Sequence, residues 1–442
     1  MVYEIILGRG KKDRDKFGTT GCVFLAKQYV KMAQITALAQ KVFLDMNNAH
    51  VVFVCGKRGS GKSYCMGVIA EGIVELPEQF KKKLSVILLD TMGIYWTMKY
   101  PNHKDESMLN EWDLHGKGFN DVKIYTPEGY YHDYKKQGIP TDVPFSIKPS
   151  ELTTEDWFIS FEINSTDPLG AFIEKVILTI KEEKEDYDID DIIAQIRMEE
   201  EEPHMKLAAT NRFLVAKSWG LFSKEGTSIK ELATGGQITV LDLSCYGTMP
   251  GGWKVKNLAM GIICKRLFIE RMMVRKFEEF DSIEQAVHYL EKPEEKDHSK
   301  DMPLVWIMID EAHEFLPRTG KTAASDALIT LLREGRQPGL AMVMVTQQPG
   351  KIHTDALTQS DIVLSHRLTA KIDTDALGML MQSYLRTGLD KQLEVLPQIT
   401  GACLAIDDVN ERIFPMQIRP RSSWHGGSAP KIMEDKKDPF AF

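Results

Sequence analysis

The residue types with the clearest chemistry lie in the run Gly56-Lys57-Arg58-Gly59-Ser60-Gly61-Lys62-Ser63. It matches G-x-x-x-x-G-K-[ST], the phosphate-binding P-loop pattern. The glycines let the backbone curl so that its N–H groups point at a β-phosphate. Lys62 can reach the β- and γ-phosphates, and the Ser63 hydroxyl can hold Mg²⁺. Tyr64 closes the candidate nucleotide-binding stretch. A glycine turn could match by chance. Here the run follows an apolar strand, Val51 to Cys55, and precedes a helix-like stretch, Tyr64 to Val74, which is the context the chemistry requires.

A second acidic signal lies downstream. Leu304 to Ile309 is a fully apolar run ending in Asp310-Glu311, the Walker B arrangement. Asp310 at a strand tip would hold Mg²⁺, and Glu311 would polarise the attacking water as a general base. Asp-Glu could also be the acidic first turn of a helix, Ala312 to Phe315. The P-loop upstream favours the first reading, and a second acid beside the metal aspartate favours a hydrolytic motor over a kinase. The run Leu340 to Val345 ends in Thr346-Gln347-Gln348-Pro349. Gln347 is the candidate γ-phosphate sensor, although a Gln-Pro turn satisfying its own backbone is an alternative. Arg333 and Arg336 flank Glu334-Gly335. Either could serve a neighbouring subunit as an arginine finger, or offset a helix dipole at its C-terminus. Spacing leaves both readings open.

Alternating apolar runs and helical patterns must position these groups. Runs 85–90, 238–243, 304–309, 340–345 and 362–364 are dominated by apolar residues, the pattern of a parallel sheet covered on both faces. The expected organisation is a short N-terminal β element (1–48), a first core part (49–148), a helical insertion (149–235), a second core part with a C-terminal hairpin and arm (236–427), and a loose tail (428–442). Residues 101–150 read as mostly loop, with one short strand, Val122 to Tyr125. In the insertion, Ala171, Val176, Ile177 and Ile180, and then Ile189, Ile192, Ile193 and Ile196, fall at helical spacing. Its acidic runs, 182–191 and 199–202, read as solvated faces or, alternatively, as a surface for a basic partner.

With 43% hydrophobic residues the chain can bury a sizeable core. No apolar run is long enough to span a membrane and no signal-peptide core is present, so a cytoplasmic protein is expected. The six cysteines show no C-x-x-C spacing and read as buried thiols. A net charge of −8 is not that of a protein that coats DNA, but it leaves room for a basic central pore. Lys254, Lys256, Arg318 and Lys321 are pore candidates, and equally ordinary loop cations.

Gly56–Ser63, Ile309-Asp310-Glu311-Ala312-His313, Arg333-Glu334-Gly335-Arg336 and Val345-Thr346-Gln347 together resemble the HerA–FtsK superfamily of ring-forming DNA translocases, and are most similar to its HerA branch. The Arg-Glu-Gly-Arg block before the Thr-Gln strand is the most specific part. The resemblance spans about residues 40–427. It implies an α/β fold with a RecA-like P-loop NTPase core, ATP with Mg²⁺, a homohexamer and sequence-independent movement on double-stranded DNA. It also implies Arg336 as a finger acting in trans, a NurA-type nuclease partner and no membrane. Residues 419–427 resemble the segment that lies against the adjacent subunit in such rings. One departure is that about 50 residues precede the P-loop strand, too few for the usual N-terminal β-barrel. Competing readings are a two-domain helicase, which needs a second core in the same chain; a conjugation or packaging ATPase; and an ATP-switched subunit of a defence or signalling complex.

Overall fold

The computed structural model describes residues 4–32, 35–287, 302–378, 393 and 396–427. Thirteen strands form one sheet. They are β1 (Ile5–Leu7), β2 (Cys22–Met32), β3 (Ile35–Asp45), β4 (Val51–Cys55), β5 (Leu84–Asp90), β6 (Val122–Pro127), β7 (Val143–Phe145), β8 (Ile238–Asp242), β9 (Leu304–Ile309), β10 (Leu340–Thr346), β11 (Ile362–His366), β12 (Ala402–Asp407) and β13 (Arg412–Ile418). Their order is β1-β3-β2-β13-β12-β11-β4-β10-β9-β5-β8-β6-β7. From β11 to β7 every pairing is parallel. Strands β4, β5, β8, β9, β10 and β11 are buried almost end to end, as apolar runs covered on both faces must be. The P-loop strand β4 and the Walker B strand β9 are not neighbours, because β10 lies between them and brings Gln347 between their tips.

One side of the sheet carries the P-loop helix, Lys62–Val74, whose apolar residues share a core with β4, β5 and β10. The other side carries the long helix Gly252–Val287 and a helical layer spanning Thr154–Phe161, Pro168–Glu183, Ile189–Met198, Pro203–Ser218 and Ile229–Leu232. This layer occupies the stretch expected as an insertion. Capping boxes start two of its helices, at Thr153/Asp156 and Asp188/Asp191. Of the residues read at helical spacing there, Ala171 faces solvent and the others are buried. Much of the acidic run goes into caps and surface pairs, such as Asp190 with Lys217 and Asp186 with Lys148. Residues 101–150 hold more structure than their Pro-, Gly- and Tyr-rich composition suggests: β7 and the helix Glu128–Gln137 join the expected strand, β6.

The N-terminal strands are continuous with the core sheet, since β2 pairs with β13. β3 runs in the same sense as β4, yet only residues 46–50 join the end of one to the start of the other. A flat sheet could not make that connection, so this part of the sheet must coil back. Register shifts in the β2–β3 pair supply the bend. The coil lays Leu7, Val23, Leu25 and Leu44 over the P-loop helix as part of its core. The tail 428–442 lies outside the described residues, as does most of the charged loop before β9. Among the described residues no helix is long and apolar enough to cross a membrane, and all six cysteines are free.

Candidate functional site

β4 ends at Cys55 and the chain turns at once into Gly56, at φ 154°. A Cβ there would lie 2.6 Å from the His366 Cβ and 2.7 Å from the Ser60 Oγ, so the loop can sit on β11 only with glycine at this position. The loop is braced from two sides: the Lys57 N–H donates to the Arg367 carbonyl (3.0 Å), and the Gly401 N–H donates to the Ser60 carbonyl (3.0 Å). Lys57, Arg58 and Gly59 are exposed at its tip, and Gly61 caps the helix that Lys62 begins. Lys62 Nζ donates back to the Lys57 carbonyl at 3.0 Å. Burial holds its pKa below the usual lysine value, with Glu311 and Asp310 opposing the shift. Tyr64 turns its side chain away from the loop: its hydroxyl accepts from the Arg421 N–H (2.6 Å) and its ring meets His425 edge-on. What Tyr64 offers a phosphate is its backbone N–H in the first helical turn.

Across β10, the Ser63 Oγ donates to the Asp310 Oδ2 at 2.7 Å. Two hard oxygen donors therefore meet at a buried spot beside Lys62. Burial pushes the Asp310 carboxyl above its usual range, as expected of an acid shaped to face a cation. These residues fit Mg²⁺. Glu311 does not continue a helix; it adopts a left-handed conformation (φ 50°), and only a single 3-10 turn, Ala312–Glu314, follows. Such backbone strain in a non-glycine residue clusters at functional positions. The turn swings the Glu311 carboxylate toward β10, where the Gln347 amide donates to its Oε1. Oε2 is buried without a hydrogen-bond partner, and His313 Nδ1 lies 3.6 Å from it. His313 also faces Thr346 Oγ1 at 3.0 Å and Gln348 at 3.3 Å. Burial keeps its pKa below the ordinary histidine value.

Further along the same rim, Asp90 accepts four backbone N–H bonds, from Met92, Gly93, Ile94 and Tyr95. Burial, with Asp242 adding to it, still pushes Asp90 up to about 7. Lys256 is buried here and donates to the Thr91 carbonyl (2.9 Å), which removes it from the pore candidates. Lys254 pairs with Glu162 and Lys321 with Asp326, and Arg318 is exposed.

Arg336 lies elsewhere. It precedes β10, whereas Gln347 follows it, so about 20 Å of strand separates Arg336 from its own P-loop. Its Nη2 donates to the Asp361 Oδ2 (2.8 Å), and the side chain is 68% exposed. Arg333, also exposed, pairs with Asp355 at 2.7 Å. Sequence reasoning missed Asp361 and its partner His50. The available signal was weak, a polar residue immediately before each of two apolar strands. It also missed Glu71, a carboxylate inside the apolar run of the P-loop helix. Glu71 is fully buried and accepts from Arg421, Ser422, Ser423 and Arg419. Residues 419–423 therefore pack on their own chain's P-loop helix, and Trp424 just beyond them is exposed. Four buried polar side chains lock them there.

The parallel sheet, the P-loop and the acid pair one strand away define a P-loop ATPase of the HerA–FtsK type. The family model "Helicase HerA, central domain" matches residues 31–267, more than half of the chain, and the chain belongs to that family. It is 23% identical over 350 residues to a "Probable DNA double-strand break repair helicase HerA" of Methanocaldococcus jannaschii, covering 73% of this chain and 63% of that one. A probable helicase of the same organism is 28% identical over 106 residues, 23% of this chain and 20% of its own length. The chain thus spans less than two thirds of these curated relatives. In fold it is similar to VirB4 of Thermoanaerobacter pseudethanolicus, with a TM-score of 0.53 at 12% identity, covering 91% of this chain and 97% of that one.

Proposed function

We propose that this chain is an ATP-driven translocase or helicase that moves on double-stranded DNA as a homohexamer in the cytoplasm, serving a NurA-type nuclease in DNA-end processing. The observation that carries the ATPase part is the meeting of Ser63, Asp310 and the strained Glu311 around Lys62. In this reading the loop from Gly56 to Tyr64 wraps the phosphates with its N–H groups, and Lys62 leaves the Lys57 carbonyl for the β- and γ-oxygens. Ser63 and Asp310 would hold Mg²⁺, which would supply neutralisation of developing phosphate charge. Gln347 fixes one oxygen of Glu311, and the unpartnered Oε2 accepts the proton of the attacking water.

The hexamer rests on a distance. Arg336 sits a full strand away from its own nucleotide loop, so a finger role requires a second copy. Arg336→Ala should keep its assembly size and lose most turnover. Mixing it with Glu311→Gln subunits, which carry an intact finger, should restore hydrolysis at mixed interfaces. A total lack of rescue would count against action in trans.

The DNA part is tested by steady-state ATP hydrolysis with and without linear double-stranded DNA at low and moderate salt, using Glu311→Gln as the blank. Stimulation that fades with salt is expected of a motor gripping phosphates. Hydrolysis indifferent to DNA would point instead to an ATP-switched subunit of a defence or signalling complex.

A further inference from the structure

The rim opposite the P-loop carries a cluster of charges that the hydrolytic site does not use. Asp361 immediately precedes β11 and is 7% exposed. Its Oδ1 accepts from the Val51 N–H at 2.9 Å, and its Oδ2 accepts from His50 Nδ1 at 2.7 Å and from Arg336 Nη2 at 2.8 Å. The other ring nitrogen of His50 faces Asp45 Oδ2 at 3.3 Å. Asp45 accepts from Arg9 Nε at 2.9 Å and from the Asn48 amide at 2.9 Å. Charges thus alternate from Arg336 through Asp361, His50 and Asp45 to Arg9. The chain joins residues from β1, β3, β4, β10 and β11, or from the loops beside them.

The ring of His50 packs directly over Gly8 (φ 77°), where a Cβ would lie 2.6 Å from its Cε1, so only glycine leaves space for it. The two ends of the chain of charges differ. Arg9 is 1% exposed and also donates to the Gly18 and Thr20 carbonyls. Arg336 projects from the surface and is held through one guanidinium nitrogen. With both ring nitrogens facing carboxylates, His50 donates to each. The charge of Asp361 is therefore divided between His50 and Arg336. That division makes it a tether for Arg336 more than a trap, and leaves a largely exposed guanidinium held through Nη2 alone among the described residues.

We propose that Asp361 is a positioning residue for Arg336, fixing its guanidinium at the surface for the nucleotide site of a second copy, and that His50 and Asp45 fix Asp361 in turn. This rests on the reading of Arg336 as the group acting in trans. A long exposed side chain samples many rotamers, and a finger off target by about 1 Å loses on the order of 10²-fold in rate. Anchoring through a buried carboxylate limits that sampling without consuming the donors that a phosphate needs.

The test is steady-state ATP hydrolysis by the full chain, with assembly size and thermal melting followed in parallel. Arg336→Ala sets the floor. Asp361→Asn should lower kcat about tenfold, keep the KM for ATP within about twofold and leave assembly size unchanged, and Asp361→Glu should recover part of the loss. Adding Glu311→Gln subunits, whose fingers are correctly held, should restore turnover at Asp361→Asn sites. His50→Gln, which spares the Arg336–Asp361 pair, should lower kcat by about threefold, and it decides the matter if Asp361→Asn does not fold. The proposal is overturned if Asp361→Asn or His50→Gln hydrolyses at the wild-type rate or faster, the latter marking a sequestering contact. It is also overturned if the loss follows disassembly and is not rescued in mixtures. If Arg336→Ala itself retains full turnover, the trans reading fails and takes the positioning role with it. If Arg336→Ala is inactive and Asp361→Asn is not, the positioning role alone fails.

Discussion

The two rims of the parallel sheet use charge in opposite ways, and two buried histidines show how. Under the P-loop, His366 has its Nδ1 near the Ala402 carbonyl and its Nε2 without a partner, and burial lowers it to about 4. At the other rim, His50 is equally buried, yet Asp361 and Asp45 outweigh its desolvation and raise it to about 9. Along the nucleotide rim the acids Asp310, Asp90 and Asp242 are all pushed up by burial. The two carboxylates that hold His50, Asp45 and Asp361, are pushed down, Asp45 to about 2, while burial pushes the nearby Asp407 up. The nucleotide rim buries Asp90, Asp242 and Asp310 with hydrogen bonds but without a salt bridge among the described residues, the condition of a surface shaped for a ligand. The far rim satisfies its charges internally, the condition of a surface that must keep its form.

This contrast can be broken by mutation. The largest effect expected is on chemistry: Glu311→Gln should lower turnover by about 10²–10⁴-fold while nucleotide still binds, and Lys62→Ala should abolish binding itself. Fluorescent-nucleotide titration beside the hydrolysis assay separates the two, and unchanged affinity in Lys62→Ala would refute the P-loop assignment. Neither change should cost stability, because neither group is well paired. At the far rim the expectation reverses. Asp45→Asn strips the buried Arg9 and His50 of a carboxylate and should destabilise by about 3–5 kcal/mol in denaturant titration. A loss below about 1 kcal/mol would show that the far rim is not the structural clamp described.

A gentler probe is pH. The folded-state value of His50 lies above the unfolded one, so its stabilisation is present below about 6.5 and is lost as pH rises through about 9. His366 lies below its unfolded value, so its contribution is present above about 6.5 and is lost as pH falls toward about 4. Melting curves across that range should therefore show an alkaline loss, on the order of 1–3 kcal/mol, that His50→Gln removes and a His366 variant does not. The smallest effect belongs to Arg333→Ala. Its pair with Asp355 is solvent-exposed on the arginine side, and the change should cost less than about 1 kcal/mol of stability.

Most of the nucleotide rim was legible in the sequence because its parts are local. A P-loop needs its glycines, lysine and serine within one turn, and an acid pair at a strand tip is a single dipeptide after an apolar run. The strands that carry them announced themselves by unbroken hydrophobicity. The far rim was only partly legible: the Arg333-to-Arg336 block marks Arg336, but Arg9, Asp45, His50 and Asp361 come together with it only when the sheet closes and have no comparable local pattern. The same holds for Glu71 and Arg421, which are 350 positions apart. Composition also misled over residues 101–150, where a run rich in turn formers shows β6 but hides β7 and the helix Glu128–Gln137, and over Lys256, whose loop-like neighbours conceal a buried helical turn.

The pairing of β2 with β13 has a consequence for how the molecule comes into being. Tyr29 and Gln417, hydrogen-bonded at 2.7 Å, are 388 positions apart. At a synthesis rate of about 5–20 residues per second, the first hairpin waits roughly 20–80 s before the strand it needs has been made. During that interval its edge is an open template for other chains. The β2–β3 hairpin cannot complete its pairing as it leaves the ribosome, because the strand it pairs with is made 388 positions later.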